Sequence, residues 1–336
     1  MNRQRPLVIK RMTTVSLVLL SLLLASIILG LSIGSSGHGF RSVVMFFSEQ
    51  TEPDSMLATI IWQIRFPRVL LAALVGATLS MGGLVFQAIL RNPLAEPYIL
   101  GISGGAAIGA IIGILLGFSR FPGVALTSFS GSITTLLLIL GISTGQSILK
   151  KNALLLSGVM VNAFCSAVIM FLVSLTQDTR LHNIIFWLMG DLSLVNMRQT
   201  GLLAMVLLPC FALLFWFSNS MNLMLMGKDM AQSMGVNIRN VTVVLLVCTS
   251  LMISATVSQC GLIGFVGLVI PHLFRLMLGP DHRVLTPACI LGGAAYMILC
   301  DLLARALPEQ GEMPAGVITA MIGAPLFIYL LKRSGR

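Results

Sequence analysis

The sequence has 336 residues, 57% of them apolar and only 10% charged, with a formal net charge of +10. Globular domains average about 25% charged residues, so a water-soluble fold, a disordered chain, a coiled coil and a secreted disulfide scaffold are excluded; a mean hydropathy of +0.98 agrees. The basic excess fits the cytoplasmic loops of an integral membrane protein, not a nucleic-acid surface.

A helix crossing the hydrocarbon core needs about 20 largely apolar residues. Arg3, Arg5, Lys10 and Arg11 precede a run that stays uncharged from Met12 to Gly37. It resembles a signal peptide but is long enough to span, and it is read as a retained first helix. Further stretches without Asp, Glu, Lys or Arg cover 69–90, 97–118, 123–147, 153–176, 199–218, 240–274, 284–300 and 313–331, the first run giving 13–34. The stretch 240–274 is too long for one crossing, and Ser258, Gly261, Gly264 and Gly267 lie in its middle. Splitting it into about 241–257 and 263–276 gives ten crossings in one all-α membrane domain, 1–336.

Charge tests that count. With the N-terminus inside, the inner segments hold 14 of the 21 basic residues and three of the 11 acids (Glu96, Asp229, Asp281), a balance of +11. The outer segments hold seven basic residues and eight acids, a balance of −1. Ten crossings with both termini cytoplasmic satisfy the positive-inside rule. Residues 38–67 form an outer segment with His38, Arg41, Glu49, Glu52, Asp54 and Arg65.

Catalytic signatures are missing. Gly101-Ile-Ser-Gly-Gly105 lacks the Lys and Ser/Thr of a Walker phosphate loop. Six cysteines lie in apolar stretches without a Cys-x-x-Cys pair, as small hydrophobes do. His272, beside Pro271, is expected to bond locally at a helix break. Gly105, Gly109, Gly113 and Gly117 recur every four residues, a smooth helix-packing face. No acid is expected at mid-membrane; the nearest is Asp301, which can pair with Arg305 one turn on. An ion-coupled secondary transporter therefore lacks its usual relay, and a membrane haem or redox protein lacks paired histidines. The longest inner connection, 219–240, has Gly227, Ala231 and Gly235 at spacings of four, which in a short amphipathic helix would give a compact face to a cytoplasmic partner.

The ordered motifs carry a resemblance. Trp62-Gln-Ile-Arg-Phe-Pro-Arg68, Gly76-Ala-Thr-Leu-Ser-Met-Gly-Gly83, Arg91-Asn-Pro-Leu-Ala-Glu-Pro97 and Leu100-Gly-Ile-Ser-Gly-Gly-Ala106 come first. Gly264-Phe-Val-Gly-Leu-Val-Ile-Pro-His272, Asp281-His-Arg283, Asp301-x-x-x-Arg305, Met313-Pro-Ala-Gly316 and Gly323-Ala-Pro-Leu-Phe327 follow. From about residue 60 onward the chain resembles FecCD-type permeases, the type II membrane subunits of ATP-binding-cassette importers. That resemblance implies ten helices per subunit, a homodimer around a central pathway, two cytoplasmic ATPase subunits that bind the ATP and Mg²⁺, and an extracytoplasmic binding protein. The chain itself then needs no cofactor, catalyses nothing, and lies in a bacterial or archaeal cytoplasmic membrane. The same resemblance makes Gly227, Ala231, Gly235 and Val236 part of the ATPase-coupling segment, and Arg65 and Arg305 contacts for the binding protein. Met313-Pro-Ala-Gly departs slightly from the family's usual pattern. The family at large puts iron-siderophore or haem first as substrate and cobalamin second, although Trp62-Gln-Ile-Arg65 and Asp281-His-Arg-Val284 lean toward cobalamin permeases.

Overall fold

The computed structural model describes residues 4–33, 59–142, 151–176, 178–193, 195–308 and 311–334. Most of the expected outer segment 38–67 lies outside the described residues. Among the described residues are thirteen α-helices and no strand. They are α1 (Gln4–Ser32), α2 (Phe66–Leu90), α3 (Ile102–Leu115), α4 (Ala125–Ile142), α5 (Lys151–Ser174), α6 (Asp178–Leu188) and α7 (Met197–Trp216). Then come α8 (Ser218–Met226), α9 (Lys228–Ser233), α10 (Ile238–Cys260), α11 (Val266–Leu278), α12 (His282–Ala306) and α13 (Ala315–Ser334). Eight are long and apolar enough to cross a membrane, and α3 and α11 are shorter apolar helices. Together these occupy the ten expected stretches. Helix α6 interrupts a region read as connection, because Asp178 and Arg180 break its apolar run.

Helix α2 is the axis of the bundle. The span that ends in it is 89% buried. It turns in through a π-helical segment, Ile60–Arg65, with Pro67 in the first turn of α2 and Arg91 capping its far end in the left-handed region at φ 46°. Its neighbours approach backbone to backbone. A Cβ on Gly76 would lie 2.1 Å from the Gly293 carbonyl of α12, and one on Gly83 would lie 1.7 Å from the Gly267 carbonyl of α11. Such contacts supply the close packing that holds helices together in lipid, where no hydrophobic force separates helix from solvent.

The expected break between the seventh and eighth crossings is present, and side chains satisfy the backbone it frees. Cys260 closes α10, and its carbonyl accepts the Asp191 N–H at 2.8 Å. Gly261 has φ 73°, and a Cβ there would meet the Trp187 carbonyl at 2.0 Å. The Tyr98 hydroxyl donates to Ile263 O at 2.9 Å and accepts the Ile263 N–H at 3.2 Å. The Glu96 carboxylate accepts the N–H of Phe265, itself at φ 69°, at 3.1 Å. Inside a membrane, irregular backbone persists only where protein groups pair it.

That geometry corrects one expectation. Glu96 follows the second crossing in sequence, but Glu96, Pro97 and Tyr98 fold back against the break between α10 and α11. Gly267, two residues past Phe265, faces Gly83, which is seven residues and about 10 Å from the end of α2. An acid therefore does lie within the bundle, as the partner of a broken helix.

The glycine series also divides. Cβ atoms on Gly105, Gly109 and Gly113 would collide with Thr135, Thr127 and Gly131 of α4, so these three face that helix. Gly117 does not belong to the series. It lies beyond the end of α3 at φ 75° with nothing within 4 Å, so it turns the chain rather than packing it.

Candidate functional site

Asp281 caps the start of α12 and Arg305 lies in its last turn, and several of the charged groups singled out by sequence gather at these two ends. At the Arg305 end, the expected Asp301–Arg305 pair forms at 3.1 Å. Asp301 also takes Arg68, which donates from Nε at 3.0 Å and lies 2.9 Å away through Nη2. Arg68 reaches Glu312 at 2.5 Å as well. Arg305 donates to Ile33 O at 3.2 Å and Gly30 O at 3.3 Å, and Arg65 to Leu31 O at 2.6 Å. These are carbonyls at the end of α1, where a helix leaves them without partners and where cations are favoured.

Arg65 and Arg305 are thus not presented on the surface; they are 4% and 6% exposed. Their chemistry is that of anchors that tie the end of α1 to α2 and α12. The pair Arg68–Asp301, 233 residues apart, completes the cluster. Sequence reasoning missed Arg68 because its partner is distant along the chain, although it shares a motif with Arg65.

At the Asp281 end, the segment 219–240 is not one helix. Gly227, at φ 129°, separates α8 from α9, and Gly235, at φ 84°, ends the second turn-and-a-half. The Val236 N–H bonds back to Ala231 O at 3.0 Å. Ala231 is fully buried, while Met226, Met230 and Met234 are exposed. The compact small-residue face expected for a partner is therefore turned inward or broken, and the outward face is methionine.

Asp281 caps α12 by accepting the Arg283 N–H at 3.0 Å and holds the Arg283 guanidinium at 2.7 Å. Burial raises this carboxyl, but the bonds from Arg283 and Asn222 outweigh it and bring it down to about 2. His272 also differs from expectation. Among the described residues neither ring nitrogen has a hydrogen-bond partner, and the ring instead meets Phe327 edge-on at 5.7 Å.

Two other features lie away from α12. A cavity of about 620 Å³ is lined by Phe118, Arg120, Arg180, His182, Trp187 and Asp191, among others. Arg120 pairs with Asp191 at 2.7 Å. Burial raises the Asp191 carboxyl, yet Arg120 and the Ser193 N–H hold it below the ordinary carboxylate range. Helix α5 is the other feature: only 11% of its apolar window is buried, and its exposed face includes Asn162, Ala163, Ser166 and Ala167 near mid-helix.

A bundle of apolar helices with a break between α10 and α11 and short helices at one end has the build of a membrane transport subunit. The model of the FecCD transport family matches residues 22–333, and the chain belongs to that family. It is 39% identical over 278 residues to the vitamin B12 import system permease BtuC of Salmonella arizonae, covering 82% of this chain and 84% of that one. It is 38% identical over 328 residues to the ABC transporter permease YvrB of Bacillus subtilis, covering 94% and 92%. A solved structure described as a metal-chelate type ABC transporter in an inward-facing conformation has a TM-score of 0.85 and 32% identity, covering 96% of this chain and 99% of that one. The fold is that of the type II importer permeases. The chain is a multi-pass permease of the ABC-importer class.

Proposed function

We propose that two copies of this chain enclose the translocation pathway of an importer whose cargo is cobalamin or a related corrinoid. Two ATPase subunits act at the Asp281 end, on the cytoplasmic side, and a binding protein delivers cargo at the Arg305 end. ATP and Mg²⁺ belong to the ATPase, and the permease carries no cofactor. The 39% identity to vitamin B12 permeases supports a corrinoid ahead of iron-siderophore or haem, the reverse of the order expected from the family at large. The balance of +11 against −1 supports cytoplasmic termini. The exposed methionines of α8 and α9 support ATPase contact there, since flexible thioether side chains suit an interface that must repack. Arg65 and Arg305 frame the docking end from beneath its surface.

The observation that carries the pathway is the α5 face. Asn162 is an exposed polar residue near the middle of a largely apolar helix, with its Oδ1 beside Gly104 of α3. An amide facing hydrocarbon is costly, so this face belongs against water or a second copy. The six native cysteines are all buried, which suits a thiol test. Asn162→Cys is expected to react with a membrane-impermeant reagent and to cross-link two copies on oxidation. Labelling only by lipid-soluble reagents, with no cross-linked dimer, overturns the assignment. A panel of cobalamin, haem and ferric siderophores offered to the binding protein decides the cargo.

A further inference from the structure

One side chain holds α8 to the start of α12 with three polar contacts. Asn222 Nδ2 donates to Asp281 Oδ1 at 2.7 Å. Its Oδ1 accepts the His282 backbone N–H at 2.8 Å and lies 2.9 Å from His282 Nδ1. Only this amide orientation works, since the flipped one would set oxygen against the carboxylate and nitrogen against a donor. Because Oδ1 only accepts, Nδ1 of His282 carries the proton. His282 is fully buried, and Asp281 is the N-cap of α12. The amide therefore grips the first turn of the helix itself.

The rest of the α8 interface is different in kind. Met221 and Met224 are its buried residues, with Ser218 at its start. Unbranched thioether side chains can re-pack as one helix slides over another, whereas hydrogen bonds weaken steeply once their angles open. Beyond its first turn, α12 lies against α2 at Gly293–Gly76, where the backbones touch, and Gly30 of α1 meets it at Ile298. A displacement imposed at α8 and α9 can thus enter the bundle through Asn222 without being lost in the methionines.

We propose that Asn222 is a positioning residue for transport: it transmits movement of the ATPase-contacting helices to α12. The inference rests on the reading of α8 and α9 as the ATPase contact. The test uses the full transporter, with its ATPase and binding protein, in proteoliposomes loaded with ATP. ATP hydrolysis, cargo uptake, complex yield and melting temperature are read on the same preparations. Asn222→Ala is expected to assemble and hydrolyse ATP while uptake per ATP falls about five- to tenfold, the lower part of the usual range of coupling between sites. Asn222→Asp, which sets a second carboxylate against Asp281, is expected to lower it at least as far. The double exchange Asn222→Asp with Asp281→Asn again pairs one amide with one carboxylate and restores the ratio. A purely structural contact would lower yield and melting temperature and leave uptake per ATP unchanged, and that result overturns the proposal. So does failure of the double exchange to exceed Asn222→Asp. Absence of ATP-driven uptake by the unaltered chain instead overturns the transport reading, and the inference with it.

Discussion

The two ends of α12 are held by different chemistry. At the Arg305 end, Asp301 is fully buried between the guanidiniums of Arg68 and Arg305, and Arg305 and Arg65 take the last carbonyls of α1. At the Asp281 end, a neutral amide and apolar methionines hold α8, and the outer methionines are exposed. Removing one partner of a buried ion pair costs about 3–5 kcal/mol, while a hydrogen bond from a neutral amide to a charged group contributes about 1.5–3 kcal/mol. The first end is built to stay together and the second to shift. A permease needs both, because only a fixed frame converts movement at one end into a change along the pathway.

The comparison can be broken most directly at Asp301. Asp301→Asn leaves Arg68 and Arg305 without their shared carboxylate and is expected to cost ~3–5 kcal/mol, read as loss of folded protein in detergent melting. Arg305→Gln, which leaves Asp301 paired with Arg68, is expected to lose less stability. If it instead keeps its melting temperature and loses affinity for the binding protein, Arg305 is a docking contact and not an anchor.

Gly235→Leu sharpens the other side. Its left-handed backbone costs ~1–3 kcal/mol to hold with a side chain, but nothing lies within 4 Å of its Cβ direction. The expected protein is folded, with ATP hydrolysis uncoupled from uptake. Gly117→Leu, equally open and left-handed, is expected to lose the same stability without uncoupling. Equal effects on uptake from the two variants would erase the distinction between the ends.

Smaller still is Met230→Glu, an exposed change expected to move stability by no more than ~0.5 kcal/mol while weakening co-purification with the ATPase. The least effect is expected from mild acid. The Asp281 carboxyl is held down to about 2, below an ordinary value of about 3.9. Its stabilisation is therefore complete above the ordinary value and lost only as pH falls through the depressed one. Melting of the permease between pH 5 and 8 should not report Asp281; a transition in that window that Asp281→Asn abolishes would contradict the assignment.

The sequence was legible where one-dimensional signals sufficed. Charge-free length located the ten apolar helices, and Gly261 marked the break in the seventh stretch. The pair Asp301–Arg305 followed from helical spacing. What escaped notice depended on three-dimensional neighbours. Arg68 meets Asp301 across 233 residues, and Glu96 turns inward to satisfy the Phe265 N–H. The four-residue spacing of Gly227, Ala231 and Gly235 suggested one helical face, but left-handed backbone at both glycines breaks the helix there. Spacing fixes a face only while the helix continues. Burial could not be read from the charge of Arg65 or Arg305 either, since the carbonyls that bind them belong to α1.

The central claim is that one end holds while the other moves. Spin labels in the assembled transporter test it, placed at Met230 of the two copies and, separately, at Leu303 of the two copies, with distances measured by pulsed electron resonance before and after ATP binding. The expected result is a clear change between the Met230 labels and an unchanged Leu303 distance. A shift confined to Leu303, with Met230 fixed, would contradict the account.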